Sequence, residues 1–366
     1  MVVSEGIEGK VRQDLASLGG YVPSKAPENV ARELGLREED IIKLDDNENP
    51  YGCSPLVQKA LGNCKYLYTY PDAGQTELRR QLQDYIGVDA SHIVADNGSD
   101  QLIDNVLRLF LEPGDEVINA IPTFDIFRVR ALVYGGKLVN VPRDEDFVID
   151  VGAIKAAINK NTKMIVLATP NNPTGTITNQ PDILELADTG IPMLIDEAYV
   201  EFSGETVTKF VSQYKNMMVL RTFSKWAGLA GLRIGYGVFP PKIAEYLMKL
   251  KLPYNVSVAA RVAVRETLKD TANLMTKVKA IVAERERLFA ELSKLDWLKP
   301  FPSQANFIFC HVLKGKASDV QKALHDRGIL IRYFDLPLLQ NSIRISVGKP
   351  EHTDALLKAL REIGGK

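Results

Sequence analysis

The sequence predicts an α/β protein: a large domain on a mostly parallel, doubly covered sheet, plus a smaller α+β domain. Three observations carry that expectation. The chain has 366 residues, more than one hydrophobic core normally serves. Between about 75 and 240, helical stretches alternate with short continuous apolar runs bounded by Gly, Pro and Asn. Beyond about 252 that alternation stops, and a long charged helical stretch precedes a few strands and a terminal helix.

The elements follow in order. Residues 1–45, with Gly19, Gly20 and Pro23, read as an arm and linker attached to the smaller domain. The large domain is expected over 46–255. Its first clear strand is HIVADN (92–97), followed by a helix that puts Leu102, Ile103, Val106, Leu107 and Phe110 on one face. Further strands are expected at 115–120, 137–141, 163–169, 192–196, 217–222 and 233–239. These runs are continuously apolar rather than alternating, as strands buried on both faces are. The smaller domain, 256–366, begins with one helical stretch over 257–292, followed by strands at 306–312, 328–334 and 342–348.

Composition narrows the partners. A net charge of -1 with both signs interspersed leaves no footprint for nucleic acid or an anionic membrane, so small-molecule substrates are expected. Cys53, Cys64 and Cys310 are odd in number and lack a CxxC pair, which speaks against a disulfide framework and for a reducing, cytoplasmic setting. His92, His311, His325 and His352 show no paired ligand spacing, so no metal site is expected. No GxGxxG opens a βα unit, which disfavours a nicotinamide dehydrogenase.

The segment RTFSKWAGLAGLRIGY (221–236) sets Lys225 after Ser224 and ahead of Arg233, with Ala227, Gly228, Ala230 and Gly231 between. Such a lysine is often a solvated loop residue. Packed among small neighbours it instead loses hydration, its pKa falls from about 10.4, and it becomes an amine nucleophile. An amine beside two anion-binding side chains suits an aldehyde cofactor that carries a phosphate, and pyridoxal 5'-phosphate answers that description.

The remaining needs of that cofactor have candidates at strand ends, where ligands collect in such sheets. Asp196 closes PMLID and can keep the pyridine nitrogen protonated, a pairing of order 4 kcal/mol at about 4 Å; it can equally cap the next helix. Asn172 in PNNPTG (170–175) and Tyr199 in DEAY can donate to the phenolic oxygen, although PNNPTG is also a good turn. Gly98 and Ser99 open a helix whose free N–H groups and dipole favour a phosphate, with Ser224 and Arg233 completing the cup. Phe124 is either the ring stacker or a core aromatic, and Tyr70 in TYPDAG either reaches a phosphate or forms a turn.

With these residues in place the chain resembles the fold-type I, class II pyridoxal-phosphate aminotransferases, and within them the group that converts histidinol phosphate. The matching segments are KLDDNENPYG (43–52), YPD (70–72), NGSDQLID (97–104), PTF (122–124), ATPNNPTG (168–175), IDEAY (195–199), RTFSK (221–225), GLAGLRIGY (228–236), PYNV (253–256), SQANF (303–307), GILIR (328–332) and RISVG (344–348), all in family order. The resemblance implies that Lys225 forms the Schiff base, Asp196 pairs with the pyridine nitrogen, and Asn172 and Tyr199 contact the phenolic oxygen. It implies that Tyr70 reaches the phosphate of the neighbouring subunit's cofactor, hence a homodimer with shared sites. Arg344, Arg332 and Tyr21 would take the anionic end of the substrate, and Asn47 would lie at its mouth. The expected reaction is L-histidinol phosphate and 2-oxoglutarate to imidazole-acetol phosphate and L-glutamate, a step of histidine biosynthesis. Rival readings are an aromatic amino-acid aminotransferase, a decarboxylase of phosphorylated amino acids and a ligand-binding regulator on the same fold. The chain departs from the pattern at Asp45-Asp46, where Asn-Ala is usual, and at Phe127, where a tyrosine is common. Extra acid is expected to weaken anion binding, and a lost hydroxyl to remove a donor.

Overall fold

In a computed structural model, which describes residues 6–20 and 23–364, the strands form two sheets. The strands are β1 (Ile42–Leu44), β2 (Ile93–Asp96), β3 (Glu116–Ile121), β4 (Lys137–Pro142), β5 (Thr162–Ala168), β6 (Met193–Asp196), β7 (Met217–Thr222), β8 (Gly235–Val238), β9 (Leu298–Pro300), β10 (Phe307–Val312), β11 (Ile329–Phe334) and β12 (Ser342–Ser346). The larger sheet has the order β2-β8-β7-β6-β5-β3-β4. Only β8 runs against the others, pairing antiparallel with both β2 and β7. The carboxyl ends of β2, β5, β6 and β7 therefore share one edge.

Alternation along these strands explains why each is apolar throughout. Ile165, Leu167, Ile195 and Val219 enter the core on one face, while Val166, Leu194, Met218 and Leu220 enter the core on the other. Helices cover both faces, so neither face can be polar.

The smaller sheet, β1-β11-β12-β10-β9, is antiparallel apart from the β1–β11 pair. The stretch expected as one helix is two, Val258–Lys269 and Thr271–Leu292, broken at Asp270. Asp270 leaves helical backbone geometry and accepts hydrogen bonds from Ser54 Oγ and Asn273 Nδ2. The longer helix buries Leu274, Val278 and Ile281 in the large-sheet core and Leu288 and Leu292 in the core of the smaller sheet. Two strands were not expected, β1 and β9; each has three residues, too few to show a period.

Candidate active site

The shared edge of the large sheet holds a cavity of about 440 Å³. From β6 come Asp196 and, three residues on, Tyr199; from the loop after β5, Asn172; from the loop after β7, Ser224 and Lys225. Ser99 arrives at the start of the Gly98–Phe110 helix, Arg233 just ahead of β8, and Phe124 from the segment after β3. Asn47 and, from β12 of the smaller sheet, Arg344 close it. A second cavity of about 950 Å³ adjoins the first, shares Ser24, Phe124, Asn172 and Arg344 with it, and contains Arg332.

Lys225 donates to the carbonyl oxygen of Asp46 at 2.7 Å. Loss of hydration pushes its pKa down to about 8; Arg344 adds to the fall, and Asp46, Glu48 and Asp100 oppose it. Asp196 moves the other way. Burial raises its pKa to about 7, Asp100 and Glu197 adding to the rise, while the Ala198 N–H and Lys225 restrain it. The neighbouring acid Glu197 faces away and pairs with Arg221 at 3.0 Å, so of the two consecutive acids only Asp196 reaches the cavity.

The segment 45–49 touches three of the site's side chains, Lys225, Tyr199 and Arg344. The Asp45 carbonyl accepts from Arg344 Nη2, and Asn47 Nδ2 donates to Tyr199 Oη at 2.9 Å. Asn47 itself sits at φ 55 and is held by Ser346 Oγ at 2.8 Å and Asn306 Nδ2 at 2.9 Å. Arg344 Nη1 donates to Asn172 Oδ1 at 2.6 Å, joining the two sheets across the site. Asn171, which sequence reasoning passed over, anchors the loop: its amide donates to the Pro122 carbonyl and Thr174, and its oxygen accepts from Thr123. Its one sequence signal was the doubled Asn of PNNPTG. Ser346, Asn306 and Asp100 lie in the matching segments RISVG, SQANF and NGSDQLID but were not singled out.

Other expectations fall differently. Arg233 spends its guanidinium on Asp100, at 3.0 Å, and on the Ala230 carbonyl. Gly98 adopts φ 79, and a Cβ there would lie 2.7 Å from Arg233 Nη2, so the missing side chain keeps the helix start open. Tyr70 is not brought to this cavity; it is exposed and stacks on Tyr254 with ring centroids 4.5 Å apart. Tyr21 lies outside the described residues. Phe127 is fully buried in the core and lines neither cavity, so its lack of a hydroxyl removes no donor from them. The added acids are partly offset by Lys43, 2.8 Å from Asp46 and 3.5 Å from Asp45. Among the described residues no cluster of His, Cys, Asp and Glu could hold a metal ion.

This lining fits pyridoxal phosphate. A carboxyl as deeply buried as Asp196 calls for a cationic partner, which a protonated pyridine nitrogen supplies. Across from it stands an amine with lowered proton affinity, and the open helix start offers N–H groups to a phosphate.

The family model for aminotransferase class I and II matches residues 39–360. The histidinol-phosphate aminotransferase of Dehalococcoides mccartyi is 54% identical over 354 residues, covering 97% of this chain and 98% of its own. The chloroplastic histidinol-phosphate aminotransferase of Nicotiana plumbaginifolia is 45% identical over 354 residues, covering 96% and 86%. Among solved structures, histidinol-phosphate aminotransferase from Sinorhizobium meliloti in complex with pyridoxal-5'-phosphate superposes with a TM-score of 0.87 at 27% identity, covering 97% and 98%.

Proposed function

The chain belongs to the class I and II aminotransferase family, and from that premise we propose that it moves an amino group between L-histidinol phosphate and 2-oxoglutarate, yielding imidazole-acetol phosphate and L-glutamate. The observation that carries the reading is one cavity in which a lysine and a buried acid face the same space, their pKa values displaced to about 8 and about 7. Pyridoxal phosphate, when bound, supplies the aldehyde that takes up the amino group and a ring that draws electrons from the reacting carbon.

The chain's own residues do the rest. With pyridoxal phosphate bound, Lys225 would hold its aldehyde carbon, and its Nζ, when free, would accept the proton that leaves the substrate Cα. Asp196 keeps a proton on the pyridine nitrogen. Asn172 and Tyr199 hold the phenolic oxygen, and Phe124 covers the ring face. Gly98, Ser99, Ser224 and Arg233 would hold the phosphate, and Arg233 would have to exchange its ion pair with Asp100 for it. Arg344 and Arg332 receive the substrate's phosphate in one half-reaction and a carboxylate in the other, both suited to a guanidinium fork.

The working unit is a cytoplasmic homodimer with shared sites. Tyr66, Leu67, Tyr68 and Tyr70 form an exposed apolar strip of the kind that marks an interface. Among the described residues no helix is long and apolar enough to cross a membrane, and the three cysteines are free.

The test is a half-reaction scan of the purified holoenzyme. L-histidinol phosphate and L-glutamate should each discharge the visible absorbance, and 2-oxoglutarate should restore it. Phenylalanine should act weakly and phosphothreonine should release no CO₂. Silence toward L-histidinol phosphate, or CO₂ from phosphothreonine, would remove the reading in favour of its rivals.

A further inference from the structure

Asn47 borders the cavity yet is only 1% exposed, so it presents little to a substrate there. Its side chain is spent on neighbours instead, and the direction of each bond can be followed. The Asn47 backbone N–H donates to Ser346 Oγ at 2.9 Å, so the Ser346 hydroxyl turns its own proton to Asn47 Oδ1, at 2.8 Å. With that oxygen engaged, the amide is left with Nδ2, which donates to Tyr199 Oη at 2.9 Å. Asn306 Nδ2 holds the Asn47 carbonyl at 2.9 Å, and the backbone lies at φ 55, a left-handed conformation that Asn and Asp accept better than most side-chain-bearing residues.

A phenol has one proton and gives it in one direction. An amide N–H pointed at Oη occupies a lone pair there and keeps that proton from turning back toward position 47. On the reading given above, on which this inference rests, Tyr199 donates to the phenolic oxygen of pyridoxal phosphate. Ser346, Asn47 and Tyr199 then form a relay whose donor sense runs from β12 of the smaller sheet toward the cofactor. We propose that Asn47 is a positioning residue that fixes the direction of the Tyr199 hydroxyl, so that its proton is presented to the cofactor's phenolic oxygen.

The experiment titrates the visible absorbance of the holoenzyme with pH, a reading that a merely structural residue would not move. A donor to the phenolic oxygen favours the form of the bound cofactor in which that oxygen carries more negative charge, the deprotonated one, so losing the donor raises the midpoint. Tyr199→Phe should raise it by about one pH unit. Asn47→Asp keeps the shape, the left-handed backbone and the oxygen that Ser346 bonds, but sets an acceptor against Oη. It should draw the phenol proton back and raise the midpoint by a similar amount. Added to Tyr199→Phe it should change nothing further. Asn47→Gly tolerates the same backbone, frees the phenol to rotate and should raise the midpoint by less. A wild-type midpoint in either Asn47 variant overturns the proposal. So does an Asp effect as large without the Tyr199 hydroxyl as with it, which would be the bare charge at work. A Tyr199→Phe holoenzyme that titrates as the wild type does overturns the assignment of Tyr199 to the phenolic oxygen, and this inference with it.

Discussion

Asp196 is a carboxyl whose proton affinity the fold has changed, and the sign of the change is measurable. Its pKa lies near 7 in the folded chain against an ordinary 3.8, so without cofactor the folded state holds the proton more tightly than the unfolded one. The resulting stability is present below about pH 4 and is lost as pH rises through 7, at about 1.4 kcal/mol per unit of displacement. Asp196→Asn should therefore raise the melting temperature of the cofactor-free protein at pH 8 and leave it little changed at pH 4, while weakening pyridoxal phosphate binding. An equal shift at both pH values would show that the buried charge is not the cause. At this scale much was legible: Asp196 and Lys225 follow apolar runs directly, and a polar residue there has the open edge of the sheet to face. What could not be read from spacing was which polar groups they meet. Asn47 meets Tyr199, and Asn172 meets Arg344, only because separate sheets are docked.

Among the elements, the loop from β7 to β8 carries the tightest requirement. Gly228 adopts φ 66, and a Cβ on it would lie 2.5 Å from the backbone carbon of Gly52. No side chain can yield there, because the obstacle is main chain. Gly228→Ala should cost roughly 1–3 kcal/mol from the backbone conformation alone. By moving Lys225 and the 45–52 segment apart it should also cost cofactor affinity; a urea titration with a parallel cofactor titration checks both. The long strands were legible because each is a continuous apolar run between Gly, Pro or Asn. β1 escaped notice because its three residues acquire a partner only from β11, far along the chain. The helix break at Asp270 escaped because one of its two partners, Ser54, comes from far along the chain, a contact no local pattern encodes.

For the whole molecule, the proposed shared-site dimer makes a quantitative prediction. Lys225→Ala should be inert on its own, and Tyr70→Ala nearly so at limiting pyridoxal phosphate. Mixed in equal amounts and allowed to exchange subunits, they should recover about a quarter of the wild-type rate, since half the dimers then carry one intact site of two. No recovery despite exchange would place Tyr70 outside the neighbour's site. The Thr271–Leu292 helix has a different kind of consequence. At 22 residues it is a rod about 33 Å long, planted in one core at its first half and in the other at its second. The two tryptophans happen to be divided in the same way, Trp226 in the first core and Trp297 in the second. Each is thus an optical gauge for one end of the rod. Fluorescence of Trp226→Phe and Trp297→Phe in guanidinium should lose its native signal at a common midpoint after allowing for each variant's own stability, because neither end can melt while the other holds the shaft. Two separate midpoints would mean the shaft snaps first.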